Sequence, residues 1–351
     1  MAETKIEWTR GQNGEKGFTF NPWIGCTKVG PGCDHCYAEA GFDKRLKVAK
    51  WGAGQPRKRT SPGTWLLPLR WNAEAERLGV RYNVFCASLA DWADNEVPYE
   101  WRADLFELID QTPYLNWLLV TKRIGNVERA VMGALKAMFI RTNKEPPKWP
   151  WPNVWLGITV VNQEEADRDI PKLLKTPAAV RFLSMEPLLG PVQISFWLDS
   201  LPAVVDQRPR LDWVIVGGES GPGSRPMHPQ WARDIRDQCA DAGVPFFFKQ
   251  WGEWETAYQR SDGTPVFRQF ESFDQWVNKA SSWVSGGICL DRHGKEMKCG
   301  ADMAKARDTD SFPVTIMHKV GKKKAGRLLD GIEHNGYPMQ PPKGEDRKGA
   351  D

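Results

Sequence analysis

The chain has 351 residues, 48 of them basic and 44 acidic, for a formal charge of +4. That length holds one large domain or two ordinary ones, and so mild a basic excess permits nucleic-acid binding without demanding it. The opening MAETKIEWTR lacks an apolar signal core, no stretch is apolar for long enough to cross a membrane, and the seven cysteines are an odd number, so the composition argues against a membrane protein or a secreted disulfide scaffold and for a reducing cytoplasm.

Short apolar runs recur along the chain. They cover residues 18–24, 82–89, 117–121, 154–160, 180–185 and 213–217, with 244–248 as a further candidate. Each is brief and nearly all apolar, the pattern of strands buried on both faces. Between them, residues 99–111, 126–142, 163–174 and 230–242 carry helical periodicity. Strand, helix, strand in this rhythm predicts an α/β fold with a parallel sheet and right-handed crossovers. About six such units predict a partial (β/α)6 TIM-like barrel with irregular insertions and a C-terminal extension. The barrel is expected over residues 1–254, with an irregular insertion and a basic extension packed on it over 255–351.

Three segments break the rhythm. Residues 50–70, with Arg57-Lys58-Arg59 at their centre, read as a basic surface loop. Residues 143–152 read as a proline–tryptophan connector, and 255–309 as an irregular insertion. The last stretch, 341–351, reads as frayed. The 18 tryptophans admit two roles, packing of loops and barrel ends or stacking on bases.

Chemistry enters at Cys26, Cys33 and Cys36, at the end of the first apolar run. Two residues separate the last pair and six the first, and glycine and proline fill the wider gap, so the chain can curl and gather three thiolates. Soft thiolates suit iron–sulfur or zinc. A cluster held by three thiolates leaves one iron open to a substrate or cofactor. Zinc would need a fourth ligand, and His35, inside the Cys33–Cys36 pair, is badly placed to supply it.

This cysteine run resembles the signature of the radical S-adenosylmethionine (SAM) enzymes. The wider chain is similar to a phage-borne branch of that superfamily with a three-cysteine motif, through SLADWAD, LLVTKR, SMEPLLGP, VGGESGPGSRP, FFFKQWGEW and VGKKKAGRLLDG in order. One departure is the first cysteine gap, six residues here where most of the superfamily has three. The resemblance implies a [4Fe-4S] cluster on Cys26, Cys33 and Cys36, with S-adenosyl-L-methionine on the open iron. It implies reductive cleavage of SAM to a 5′-deoxyadenosyl radical that takes hydrogen from a substrate. It also implies a reductant such as flavodoxin or ferredoxin, a separately encoded partner protein, and a host cytoplasm as the setting.

Barrel chemistry sits at the C-terminal ends of strands, which selects the polar residues after each run. Ser88 and Asp91 follow the second, where a carboxylate can accept from the SAM ammonium group. Thr121, Lys122 and Arg123 follow the third, with a base for a carboxylate or phosphate. Thr159 and Asn162 follow the fourth and suit ribose hydroxyls. Glu186 follows the fifth and Glu219 the sixth. Lys249 follows the last and can bind an anion or donate a proton. Glu219 and Lys249 are the candidate catalytic residues. Each position also has a plainer reading as a helix cap or loop hydrogen bond. The loop from Gly217 to Gly223 can cradle phosphate or adenine, or be a tight turn. His228 reads as structural, Cys86 and Cys239 as buried small residues, and Cys289 and Cys299 as free thiols.

The expected substrate is a nucleic-acid base or modified nucleotide, with phage DNA foremost. The basic runs at 57–59 and 322–327, the tryptophans and the phage setting point to it. Two alternatives stay open. One is radical SAM chemistry on a repair lesion or a protein. The other is a zinc-stabilised nucleic-acid-binding module without catalysis.

Overall fold

The structure is a computed structural model that describes residues 3–198, 209–259, 265–267, 269–279 and 287–339. The expected frayed end at 341–351 lies outside the described residues. Seven strands form one sheet: β1 (Gly17–Phe20), β2 (Tyr82–Cys86), β3 (Leu115–Thr121), β4 (Val154–Thr159), β5 (Val180–Met185), β6 (Trp213–Gly217) and β7 (Phe246–Gln250). Each pairs in parallel with the next in sequence, and the sheet curls into a half-barrel. Seven strands stand where about six units were expected.

Five helices cross between them: α1 (Leu67–Leu78), α2 (Tyr99–Asp110), α3 (Val127–Thr142), α4 (Gln163–Lys175) and α5 (Pro229–Asp241). Period-2 alternation divides the strand residues into two cores. On the convex face Val84, Trp117, Leu119, Leu156 and Val214 pack against helix residues such as Leu105, Leu135, Ile170 and Ile235. On the concave face Leu118, Trp155, Phe182, Trp213, Ile215 and Phe247 form a second, aromatic core around Trp8. Trp23, Trp92, Trp117, Trp151, Trp155 and Trp213 are fully buried, so packing takes these six rather than base stacking.

Four sequence expectations change. The first run breaks after Phe20, and Trp23–Ile24 turns away to pair antiparallel with Lys58–Arg59. The basic segment at 50–70 is therefore not simply a surface loop. Arg57 is buried between Asp94 and Glu96, Arg59 pairs with Asp104, and within 57–59 Lys58 alone is exposed. The last barrel strand lies two residues later than the apolar run, which puts Lys249 inside it. The segment after Trp254 is not irregular throughout. Trp254–Glu255, Gln269–Phe270 and Ile288–Leu290 each pair antiparallel with Val314–Lys319. Phe270, Cys289, Met303 and Ile316 give this small sheet its own core. No helix among the described residues is long and apolar enough to cross a membrane.

Candidate functional site

Along the concave face the side chains change from aromatic to polar toward the C-terminal strand ends. Leu118 and Val120 lead to Lys122, Trp155 and Gly157 to Thr159, Phe182 and Ser184 to Glu186, and Phe247 to Lys249. These four polar residues meet in two pairs. Lys249 Nζ donates to both Glu186 oxygens, at 2.6 and 2.7 Å, and Gln250 adds a third donor to Glu186 at 3.1 Å. Lys122 Nζ donates to Thr159 Oγ1 at 3.3 Å. Lys122 is half-buried and forms no ion pair among the described residues. It also lines a polar cleft of about 440 Å³ of mixed charge, shared by Arg123 and Lys172 with Asp94, Glu96 and Asp169. A cation beyond ion-pair distance of any carboxylate among the described residues, with buried Glu165 the nearby acid that feels its charge, can attract an anionic ligand at a strand-end mouth.

The cysteine loop lies across this mouth. It packs closely enough to require glycine at two points. A Cβ on Gly32 would stand 2.7 Å from Val161 Cγ1, and one on Gly223 would stand 3.0 Å from the His35 ring, at a φ of +79°. Side chains from several elements hold the loop down. Arg57 Nη2 donates to Thr27 Oγ1 at 2.7 Å, and Arg123 Nη2 donates to Thr27 O at 2.6 Å. Arg225 donates to Pro31 O at 2.9 Å and to Asp34 at 3.1 Å. His35 Nδ1 lies 3.1 Å from Glu219 Oε2. The Tyr37 hydroxyl donates to Ser88 O at 2.6 Å. The glycine-rich loop after β6 seats the His35 ring at Gly223.

Glu219 is the centre of that seat. Arg225 grips it with Nε at 2.9 Å and Nη2 at 2.6 Å, and Arg225 N adds a bond of 2.7 Å. Burial pushes the Glu219 carboxyl up, but the hydrogen bonds from Arg225 and His35 outweigh it and hold the group below the usual carboxylate range. Folding thus favours the ionised form. Its stabilisation is complete above the unfolded-state value and drains away as pH falls through the lower folded value. Glu219→Gln is accordingly expected to lose stability at neutral pH, with the deficit closing in acid. Urea denaturation at both pH values checks this, and a deficit independent of pH would refute it.

Asp91 organises the other side. It is 6% exposed and accepts from Thr121 Oγ1 at 2.7 Å, Ala93 N at 3.0 Å, Lys122 N at 3.0 Å and Arg123 Nη1 at 2.8 Å. Its acceptor sites are occupied, so it positions β3's exit and does not present a free carboxylate to an ammonium group. Thr121 is committed to Asp91 and to Arg123 N. Asn162 caps α4, with Oδ1 accepting from Glu165 N at 2.9 Å. Ser88 bonds Asn21 at 3.0 Å and ties the ends of β1 and β2 together. Of the residues expected at the site, Lys122, Thr159, Glu186 and Lys249 share the concave mouth, whereas Ser88, Asp91, Thr121, Asn162 and Glu219 frame it. Sequence reading passed over Arg225, whose signal was a lone charge beside the glycine turn. It also passed over Glu165, buried beneath Gly30. His228 caps α5 through Nδ1, and burial pushes its imidazole down to about 3.

Cys26, Cys33 and Cys36 are all free and half-buried. Burial pushes the Cys26 thiol up to about 12, Asp91 adds to this, and Arg123 opposes it. Among the described residues no three His, Cys, Asp or Glu side chains are gathered so as to hold a metal ion. A cubane cluster makes a different demand from a single ion. Each thiolate binds its own iron, so the sulfurs stand apart by the width of the cluster. Three soft donors on one loop, with an N–H donor beside one of them, are chemically suited to such a group.

The fold and its mouth define an α/β half-barrel protein with a three-cysteine loop fastened over the C-terminal strand ends. The chain belongs to the DUF5131 family, described as a protein of unknown function, whose family model matches residues 3–338. Comparison with curated proteins and with solved structures gives no match.

Proposed function

We propose that this chain is a radical SAM enzyme built on a partial, TIM-like barrel. Cys26, Cys33 and Cys36 would hold a [4Fe-4S] cluster, and a nucleic-acid base or modified nucleotide, DNA foremost, would be the substrate. The observation that carries the reading is the placing of all three cysteines on one loop across the C-terminal mouth of a parallel half-barrel, where such folds do chemistry. When bound, the cluster and SAM supply a 5′-deoxyadenosyl radical. The chain's own residues bind and orient. Lys122, with no carboxylate at ion-pair distance among the described residues, takes the carboxylate of SAM or a substrate phosphate. Thr159 offers a hydroxyl beside it. Lys249, held by Glu186, stands as the proton-bearing group of the mouth. The aromatic floor formed by Trp155, Phe182 and Trp213 excludes water from below. Lys322, Lys323 and Lys324 are exposed and give a basic surface for a nucleic-acid backbone. Flavodoxin or ferredoxin would deliver the electron, and a separately encoded protein would act as partner.

The test is purification without oxygen, followed by assay of iron, sulfide and zinc, then reduction in the presence of SAM and DNA. About four irons per chain, with release of 5′-deoxyadenosine or methionine, is the expected result. Zinc without iron, together with salt-sensitive DNA binding, would replace this reading with the zinc-stabilised binding module.

A further inference from the structure

We infer that Arg123 tunes the reduction potential of a cluster held by the cysteine loop, through an N–H···S hydrogen bond to Cys26. The inference rests on the cluster reading above and adds a positioning residue that the reading does not require. Arg123 Nη1 lies 3.5 Å from Cys26 Sγ. Among the described residues, Cys26 is the one member of the three whose sulfur receives a side-chain hydrogen bond.

The guanidinium is fixed in that position from two other sides. Nη1 donates to Asp91 Oδ2 at 2.8 Å, and Nη2 donates to Thr27 O, in the residue next to Cys26, at 2.6 Å. The side chains of Arg123 and Asp91 are 9% and 7% exposed. Asp91 is in turn held by the Thr121 hydroxyl and two backbone N–H groups, as described above. The guanidinium is therefore held beside the sulfur, with Asp91 offsetting its charge. Lys28, within the loop, is by contrast exposed, and it donates to Asp34 O at 3.1 Å and pairs with Glu39 at 2.9 Å.

The sign follows from charge. Reduction adds one electron, taken from the external reductant, to a group whose charge is already carried partly on its thiolate sulfurs. A hydrogen bond to one of those sulfurs stabilises the more negative, reduced form and raises the potential, while the charges of Arg123 and Asp91 offset each other there. Removing that bond lowers the potential. The same contact makes Cys26 electronically unlike Cys33 and Cys36, so the iron that it binds differs from the other two.

The experiment is an EPR-monitored redox titration of anaerobically prepared wild type, Arg123→Lys and Arg123→Gln. Iron and sulfide are counted per chain for each. The potential is expected to fall from wild type through the lysine variant, which keeps the charge but loses the fork, to the glutamine variant. A drop of about tenfold in the reduction equilibrium, ~59 mV for a one-electron couple, is expected for glutamine. Because Arg123→Gln leaves Asp91 buried without its partner, the pair variant Asp91→Asn/Arg123→Gln, which removes both charges, is measured beside it, and loss of the hydrogen bond alone should still leave its potential below wild type. Wild type without a cluster would overturn the radical SAM reading and this inference with it. Full clusters at one common potential would overturn the role of Arg123 alone. So would a wild type that holds its cluster while all three variants hold none, since Arg123 would then serve only to fold the loop.

Discussion

On the proposed cluster reading, alanine at Cys26, Cys33 or Cys36 is expected to reduce bound iron to background, with a melting temperature close to that of cluster-free wild type. The three sulfurs lie outside both barrel cores, so their loss opens no large cavity. The loop stays fastened, because its ties run through Thr27, Pro31, Asp34 and His35 and not through the thiols. Loss of iron without loss of fold is the signature of a ligand, as distinct from a packing residue. Cys299 is exposed at the start of a short helix remote in sequence from this loop, and Cys299→Ser is expected to keep its iron. Cys86 and Cys239, fully buried in the convex core, should show the opposite pattern on replacement by a larger residue, with stability lost. Iron assay and thermal melts on the same preparations check all of these. A single alanine variant of the three that retains full iron would remove that cysteine from the ligand set.

Asp91→Ala is expected to be the most destabilising single change at the mouth, at about 3–5 kcal/mol. It removes the carboxylate that neutralises a nearly buried guanidinium, and it strips the acceptor from the Thr121 hydroxyl and from Ala93 N and Lys122 N. Those groups cannot all find water in a site this enclosed, so the desolvation penalty of each remains. Asp91→Asn keeps the shape and part of the acceptor capacity and should lose less. Replacing Asp308, whose partner Arg307 is exposed on the surface, should leave stability unchanged. Urea denaturation monitored by tryptophan fluorescence gives the ranking. An Asp91→Ala variant within about 1 kcal/mol of wild type would mean that Arg123 finds another partner and that the mouth is less preorganised than described.

The barrel was legible because parallel strands buried on both faces cannot disguise themselves. Residues 154–159 and 213–217 are continuous apolar runs, and the crossover helices carry a clear apolar stripe. The small sheet from Trp254 on was not legible, since the strands that pair with Val314–Lys319 have only two or three residues, too few to show a period. Residues 57–59 misled for a related reason. Three bases in a row read as solvated, yet Arg57 is buried because Asp94 and Glu96, well over thirty positions on, turn inward to meet it. At the site, the strand-end rule selected Lys122, Thr159 and Glu186 because it depends only on where each strand stops, whereas it selected Lys249 from a strand end placed two residues too early. It could not assign Glu219 or Asp91 to support. Their partners are chosen by the tertiary fold: His35 is 184 residues from Glu219, and Asp34 is 191 from Arg225.

The floor of the half-barrel has a consequence for how the molecule is made. Trp8 packs against Phe85 and Trp213, and Tyr337 packs against Trp213 and Phe247. The Tyr337 hydroxyl donates to Glu7 O, a contact spanning 330 residues, while residues 334–336 run along the outer edge of β7. The underside is thus sealed by two segments some 330 residues apart along the chain. Until residue 337 has left the ribosome, the tryptophan floor and the β7 edge lie bare, the two features most apt to draw a nascent chain into aggregation. Closure of so long a loop is also a late and slow event in folding. Any chaperone dependence of this protein should therefore be concentrated in the interval before residue 337 emerges.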